Sequence, residues 1–270
     1  MNNELITIKE SFIVVMDSRN ATQINNPPFN SNVDFQFEGS LYFNMDDYLQ
    51  LTFSLNSFSC ANSMYIINET NNLISITMNG ITNNYNLNYG NYNINSFKTY
   101  LLSVLPNSFN LTYNTSNNIY TLSNTTYDFT INSNSTIYEI MGFSKNTVYS
   151  STNKILTLPY TCNFNGLQNI NVAIENINTN NLDSYTKSQS SIIQSISVDS
   201  LSPVIKYNKT NDIMIPIKVN FIDSVNIHLL DDQNNFINFN NQHFNLTLQF
   251  SIIKDIPRFK HNFINILNEN

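Results

Sequence analysis

The chain has 270 residues, 12 basic and 19 acidic, for a net charge of −7. Only 11% of it is charged, against roughly a quarter in an ordinary soluble protein. A general nucleic-acid coat is disfavoured, because phosphate binding needs clustered cations and the arginines are Arg19 and Arg258 alone. Wholesale disorder is disfavoured too, since 19 Phe and 15 Tyr within a 41% hydrophobic chain can bury a sizeable core.

Asn makes up about a fifth of the chain. AT-rich codons favour Asn, Ile, Tyr and Phe, but they favour Lys equally, and Lys is scarce. A neutral polar surface packs against neighbours without stripping water from charges, which points towards assembly. Cys60 and Cys162 form no Cys-x-x-Cys pair and read as core thiols of a chain folded in a reducing compartment. No apolar run approaches the roughly 18 residues of a membrane span. Glu4, Lys9 and Glu10 before a short apolar run do not read as a signal peptide.

In chain order, residues 1–10 are polar and read as an N-terminal arm. Residues 11–16 are a short buried strand, and 49–58 alternate apolar and polar side chains at period two, the pattern of a strand with one face in a core. Residues 64–67 and 73–78 follow the same logic, and Asn79-Gly80 suits a two-residue hairpin turn. Asn93 or Asn95 caps a helix whose face is Ile94, Phe97, Leu101, Leu102 and Leu105, ended by Pro106. Strands at 109–113, 119–122 and 127–131 follow, then a short helix at 135–141 stopped by Gly142. Further strands are predicted at 190–198, 204–207, 224–230 and 244–252. In the last of these Phe244, Leu246, Leu248, Phe250 and Ile252 alternate strictly.

This order predicts a mainly β protein, a β-sandwich carrying an inserted small α+β domain. The sandwich is discontinuous, 11–72 and 151–253, the insert is 73–150, and 254–270 is a C-terminal tail. The insert is nearly uncharged, with Lys98, Lys145, Asp128 and Glu139 its ionised residues. The tail is locally basic through Lys254, Arg258, Lys260 and His261, and those first three cations are the candidate partner or genome contacts.

Catalytic constellations are thin. His228, His243 and His261 lack metal-like spacing, and His228 sits inside an alternating strand where a face-filling role is commoner than a ligand's. Asp46-Asp47 and Asp231-Asp232 are adjacent carboxylates, which on a strand point to opposite faces. The second pair opens a turn-like Asp-Asp-Gln-Asn-Asn in which a bound cation is the one metal option, though without the acidic ladder of a calcium loop. No phosphate loop, nucleophile elbow or zinc-helix motif occurs, so no cofactor and no catalytic residue are assigned and an enzyme is not expected.

Several segments in order carry a family resemblance. They are Val-Met-Asp-Ser-Arg-Asn (15–20), Leu-Thr-Phe-Ser-Leu-Asn-Ser-Phe (51–58), Gly-Asn-Tyr-Asn-Ile-Asn-Ser-Phe (90–97), Leu-Thr-Tyr-Asn (111–114), Ile-Met-Gly-Phe (140–143) and Val-Asn-Ile-His-Leu-Leu-Asp-Asp-Gln-Asn-Asn (225–235). Phe-Asn-Leu-Thr-Leu-Gln-Phe (244–250) completes the set. Together they resemble the penton (vertex) capsid proteins of virophages and related Maverick/Polinton-type DNA viruses. The resemblance implies a single jelly roll with an insertion domain, a homopentamer closing icosahedral vertices beside double-jelly-roll major capsid proteins. It also implies a place in the virion. The cysteines and N-terminus read as a chain made in the host cytoplasm, and the neutral insert is expected to face outward, where a receptor or fibre would meet it. A glycan- or receptor-binding jelly-roll module that builds no shell, fibre- or lectin-like, is the alternative.

Overall fold

In a computed structural model of the chain, the residues described are 5–43, 50–177, 181–184, 186–199, 202–210, 214–219 and 221–257. The elements begin with β1 (Leu5–Asp17), a one-turn 3-10 helix (Ser18–Asn20), β2 (Gln23–Ile24), β3 (Asn32–Tyr42) and β4 (Gln50–Ala61). Next come β5 (Leu73–Met78), β6 (Ile81–Asn86), α1 (Ile94–Val104), β7 (Phe109–Asn114), β8 (Ile119–Asn124), β9 (Phe129–Ile131), α2 (Tyr138–Met141), β10 (Tyr149–Ser150) and β11 (Ile155–Thr157). The chain then forms β12 (Asn169–Ile174), β13 (Asn181–Asp183), β14 (Ser188–Ser190), β15 (Ile192–Ser197), β16 (Val204–Asn208), β17 (Ile215–Ile217), β18 (Phe221–Leu230) and β19 (Phe244–Pro257). Two compact units result: Met1–Ser63 with Gln168–Asn270, and Met64–Leu167.

The first unit is a sandwich of two antiparallel sheets. One runs β1-β19-β4-β16, with β17 also on β4; the other runs β15-β12-β18-β3-β2. Setting aside the short β2, β13, β14 and β17, eight strands remain, and in chain order they read 1-8-3-6 in one sheet and 5-4-7-2 in the other. That is the strand order of a jelly roll, with the second unit inserted between the third and fourth strands. Rows of apolar side chains hold the inner faces. Phe12, Phe250 and Phe53 stack across three strands with ring centroids 5.3 and 5.8 Å apart, and Phe58 stacks on Phe244 at 6.0 Å. Such cross-strand aromatic pairs are the packing unit of a sheet. Val33, Val172, Val225, Ile227 and Leu229 bury the facing sheet completely.

Strand β1 corrects the reading of residues 1–10 as an arm. Leu5–Glu10 continues the strand, paired residue by residue with Ile252–Pro257. The same ladder carries β19 past Ile253, so Lys254 lies in a strand opposite Ile8 and not in a tail.

The second unit has its own core, which includes Ile74, Phe97, Leu101, Leu111, Leu122 and Ile140. It reaches beyond 73–150 at both ends because Ile67, Leu156 and Leu158 are buried in the same cluster. Helix α1 starts where a capping box forms. Asn93 Oδ1 accepts from Asn95 N (3.0 Å) and Ser96 N (2.9 Å), and Ser96 Oγ accepts from Asn93 N (2.9 Å). Phe97, Leu101 and Leu105 form its buried face. The hairpin β5–β6 turns at Asn79 and Gly80, both at positive φ (49° and 74°). The second helix is shorter than predicted and ends at Gly142, φ 86°, where a Cβ would lie 2.2 Å from the Tyr160 carbonyl oxygen. Residues 64–67 form no strand; Ile67 makes a single bridge to Gly90.

Candidate assembly surfaces

The groups that could carry chemistry are used structurally. His228 on β18 lies beside Glu175, Nδ1 to Oε1 3.3 Å, and packs edge-on against Phe236 at 5.0 Å. Burial pushes its imidazole below the ordinary value, while the Glu175 and Asp34 carboxylates pull the other way. Ser191 Oγ donates to the same Glu175 Oε1 at 2.5 Å. The hydroxyl therefore meets the carboxylate and not the imidazole, which is not a nucleophile–base pair.

The Asp231-Asp232 turn is likewise closed on itself. Asp231 Oδ1 accepts from Gln233 N and Asn235 N at 2.8 Å each, Oδ2 accepts from Asn235 Nδ2 at 3.0 Å, and Asp232 Oδ1 accepts from Asn169 Nδ2 at 3.0 Å. Its carboxylates stabilise the turn that leads back towards β19. Among the described residues no three His, Cys, Asp or Glu side chains group as metal ligands. Asp46-Asp47, Arg258, Lys260 and His261 lie outside the described residues. Lys254, the remaining candidate contact, has Nζ 3.3 Å from Glu10 Oε2 and ties β19 to β1.

Surfaces remain. The outer face of β1 alternates against its inner Phe12, Val14 and Met16, leaving Ile13 60% and Val15 69% exposed. Strand β1 pairs with β19 alone among the described residues, so its other backbone edge is open. The opposite edge of that sheet is shared by β16 and β17, which pair with different stretches of β4. Contacts between sheets show which edges share a flank. Phe12 of β1 stacks on Phe43, just after β3, at 5.9 Å. On the far side, Tyr207 of β16 donates to Gln194 Oε1 of β15 at 3.2 Å. At one end of the facing sheet, Tyr42 and Phe221 pair at 6.3 Å and stand 80% and 52% exposed. On the second unit Tyr65, Tyr89, Tyr127 and Tyr160 are exposed. No helix among the described residues is long and apolar enough to cross a membrane.

No protein-family model matches the chain, and no curated protein sequence matches it. Among solved structures the chain is similar to the mavirus penton protein. The likeness covers 93% of this chain and 100% of that one, at 10% identity and a TM-score of 0.44.

Proposed function

We propose that the chain is a structural capsid protein, a homopentameric penton that closes icosahedral vertices beside double-jelly-roll major capsid proteins. The observation that carries this reading is the pair of sheet orders, β1-β19-β4-β16 and β15-β12-β18-β3, which make one jelly roll, with an independent core inserted between its third and fourth strands. A fold alone does not assign a function. The ordered sequence segments supply the rest. The second unit, with its exposed tyrosines, is the surface we assign to a receptor or fibre.

Native mass spectrometry of the purified chain, alone and coexpressed with the major capsid protein, tests the assignment. A species of five times the 31.0 kDa chain is expected. A strict monomer under both conditions refutes it and favours a binding module that builds no shell.

A further inference from the structure

Among the described residues the two flanks of the sandwich carry an excess of opposite charge. On the flank of β16 and β17 stand Lys206 on β16, Lys209 just after it and Lys218 just after β17. Lys206 and Lys218 are exposed; Lys209 is half-buried and donates to Ser54 Oγ at 3.0 Å. Among the described residues none of the three is in an ion pair. Val204, 41% exposed, lies two residues from Lys206 on the same face of the edge strand.

The flank of β1 and β3 is the reverse. Among the described residues Glu10, Asp17, Asp34 and Glu38 outnumber Lys9, Arg19 and Lys254; Arg19 is bound to Asp17 and Lys254 to Glu10. Hydrogen bonds from Arg19 hold the Asp17 carboxyl at about 2, so it stays ionised. Glu38 sits in the stretch of β3 where the register against β18 shifts, and it is exposed. Ile13 and Val15 provide the apolar centre, on a strand whose outer backbone groups have no partner among the described residues.

The geometry points to these flanks as the two halves of one contact: the β1–β3 flank of one copy meets the β16–β17 flank of the next. This inference rests on the homopentamer proposed above and names its interface. Charge complementarity selects the occupant. A second copy presents the matching cationic strip with exposed Val204, whereas a two-fold pairing would set carboxylates on carboxylates or lysines on lysines, which is repulsive. The contact is therefore heterologous, the kind that closes into a ring when its rotation permits. Each copy then has one flank to give and one to receive.

Charge reversal separates this from other roles. Lys206→Glu with Lys218→Glu should abolish the assembled species in native mass spectrometry, and so should Glu10→Lys with Glu38→Lys. Combining all four in one chain restores complementarity and should restore assembly. Thermal unfolding confirms that each variant is folded, and wild-type assembly should weaken as salt rises, since screening shortens to about 3 Å at 1 M. Lysines on an edge strand can also serve only to guard it against stray pairing, and that role predicts no loss on reversal to Glu. Assembly of the wild type with unchanged assembly of both double variants overturns the interface and leaves the pentamer standing. So does loss in both without rescue in the fourfold variant. A wild-type chain that stays monomeric overturns interface and pentamer together.

Discussion

Leu101→Ala tests whether the inserted unit has a core of its own. Leu101 is fully buried on α1, in a cluster with Phe97, Leu111, Tyr120 and Leu122. Truncating a buried leucine removes its transfer free energy and leaves a cavity, together about 2–5 kcal/mol. Each 1.4 kcal/mol is a factor of ten. The most protected amides of β7 and β8 should therefore exchange roughly 30-fold to several thousand-fold faster in hydrogen-exchange mass spectrometry. Amides of β4 and β19 should keep their wild-type rates. Leu102→Ala, next along the helix but only half-buried, should have a smaller effect in the same peptides. Equal acceleration in β4 and β19 would show one cooperative core running through both units, and the boundary drawn at Ser63 and Gln168 would be wrong in energetic terms.

Other substitutions probe local physics. Gly142→Ala forces a Cβ into a left-handed backbone 2.2 Å from the Tyr160 oxygen, whereas Gly80→Ala, φ 74°, meets open space. Left-handed strain of about 1–2 kcal/mol applies to both, so Gly142→Ala should lower the urea midpoint clearly more; equal losses would refute the close approach. For His228, the folded value lies below the ordinary 6.5, so the unfolded chain takes up the proton first. Its contribution is present above about pH 6.5 and is lost as pH falls through the folded value. His228→Gln should flatten that part of the stability profile, and an unchanged slope would remove the residue from the account. Burial pushes the Cys60 thiol up to about 12 and raises that of Cys162. Both should resist alkylation at pH 8 in the native protein and react once it is unfolded; rapid native labelling of Cys60 would contradict its place on the inner sheet face.

Alternation alone located the strands at Phe244–Ile252 and Leu51–Phe58, although Thr52 and Ser54 on the polar face of the second are buried as well. It did not locate their ends. The last residues of β19, Lys254 to Pro257, include two charges and a proline, and they are held by pairing with β1, more than two hundred positions away. Strand β3 carried a readable signal in Val33, Phe35 and Phe37, broken at Glu38-Gly39 where its register slips. In β12 the apolar Ile170, Val172 and Ile174 alternate with Asn and Ala, and the Asn-rich background hid them. Strand β6 has almost no buried residue. It exists because the Asn79-Gly80 turn folds it onto β5, a cause that hydropathy does not record. The helix start at Asn93 and the stop at Gly142 were legible because caps are local chemistry. The candidate assembly surfaces were the least legible part. Which strands share a flank depends on strand order, a long-range property, and so the sequence marks Lys254 as a tail cation and gives Lys206, Lys209 and Lys218 no distinguishing signal.

Charge is divided unevenly between the two units. Within Met64–Leu167 the ionised residues are Glu69, Asp128 and Glu139 against Lys98, Lys145 and Lys154, so the whole net charge of −7 belongs to the sandwich stretches. Asn, Ser and Thr side chains make local hydrogen bonds in the insert. Asn124 Oδ1 accepts from Thr126 N and Tyr127 N, and Asn68 Oδ1 from Thr70 N. A neutral surface of this kind can be covered in any orientation at little desolvation cost, but it gives a partner no preferred direction. The sandwich is constrained differently. A ring requires every copy to meet the next with the same polarity, and short-range apolar contact at Ile13, Val15 and Val204 cannot by itself distinguish head-to-tail from head-to-head. Unlike charges on opposite flanks can, because the wrong pairing is repulsive before the apolar side chains touch. In the proposed pentamer, low charge in the insert and segregated charge on the sandwich would answer two separate demands, tolerance on one surface and direction on the other.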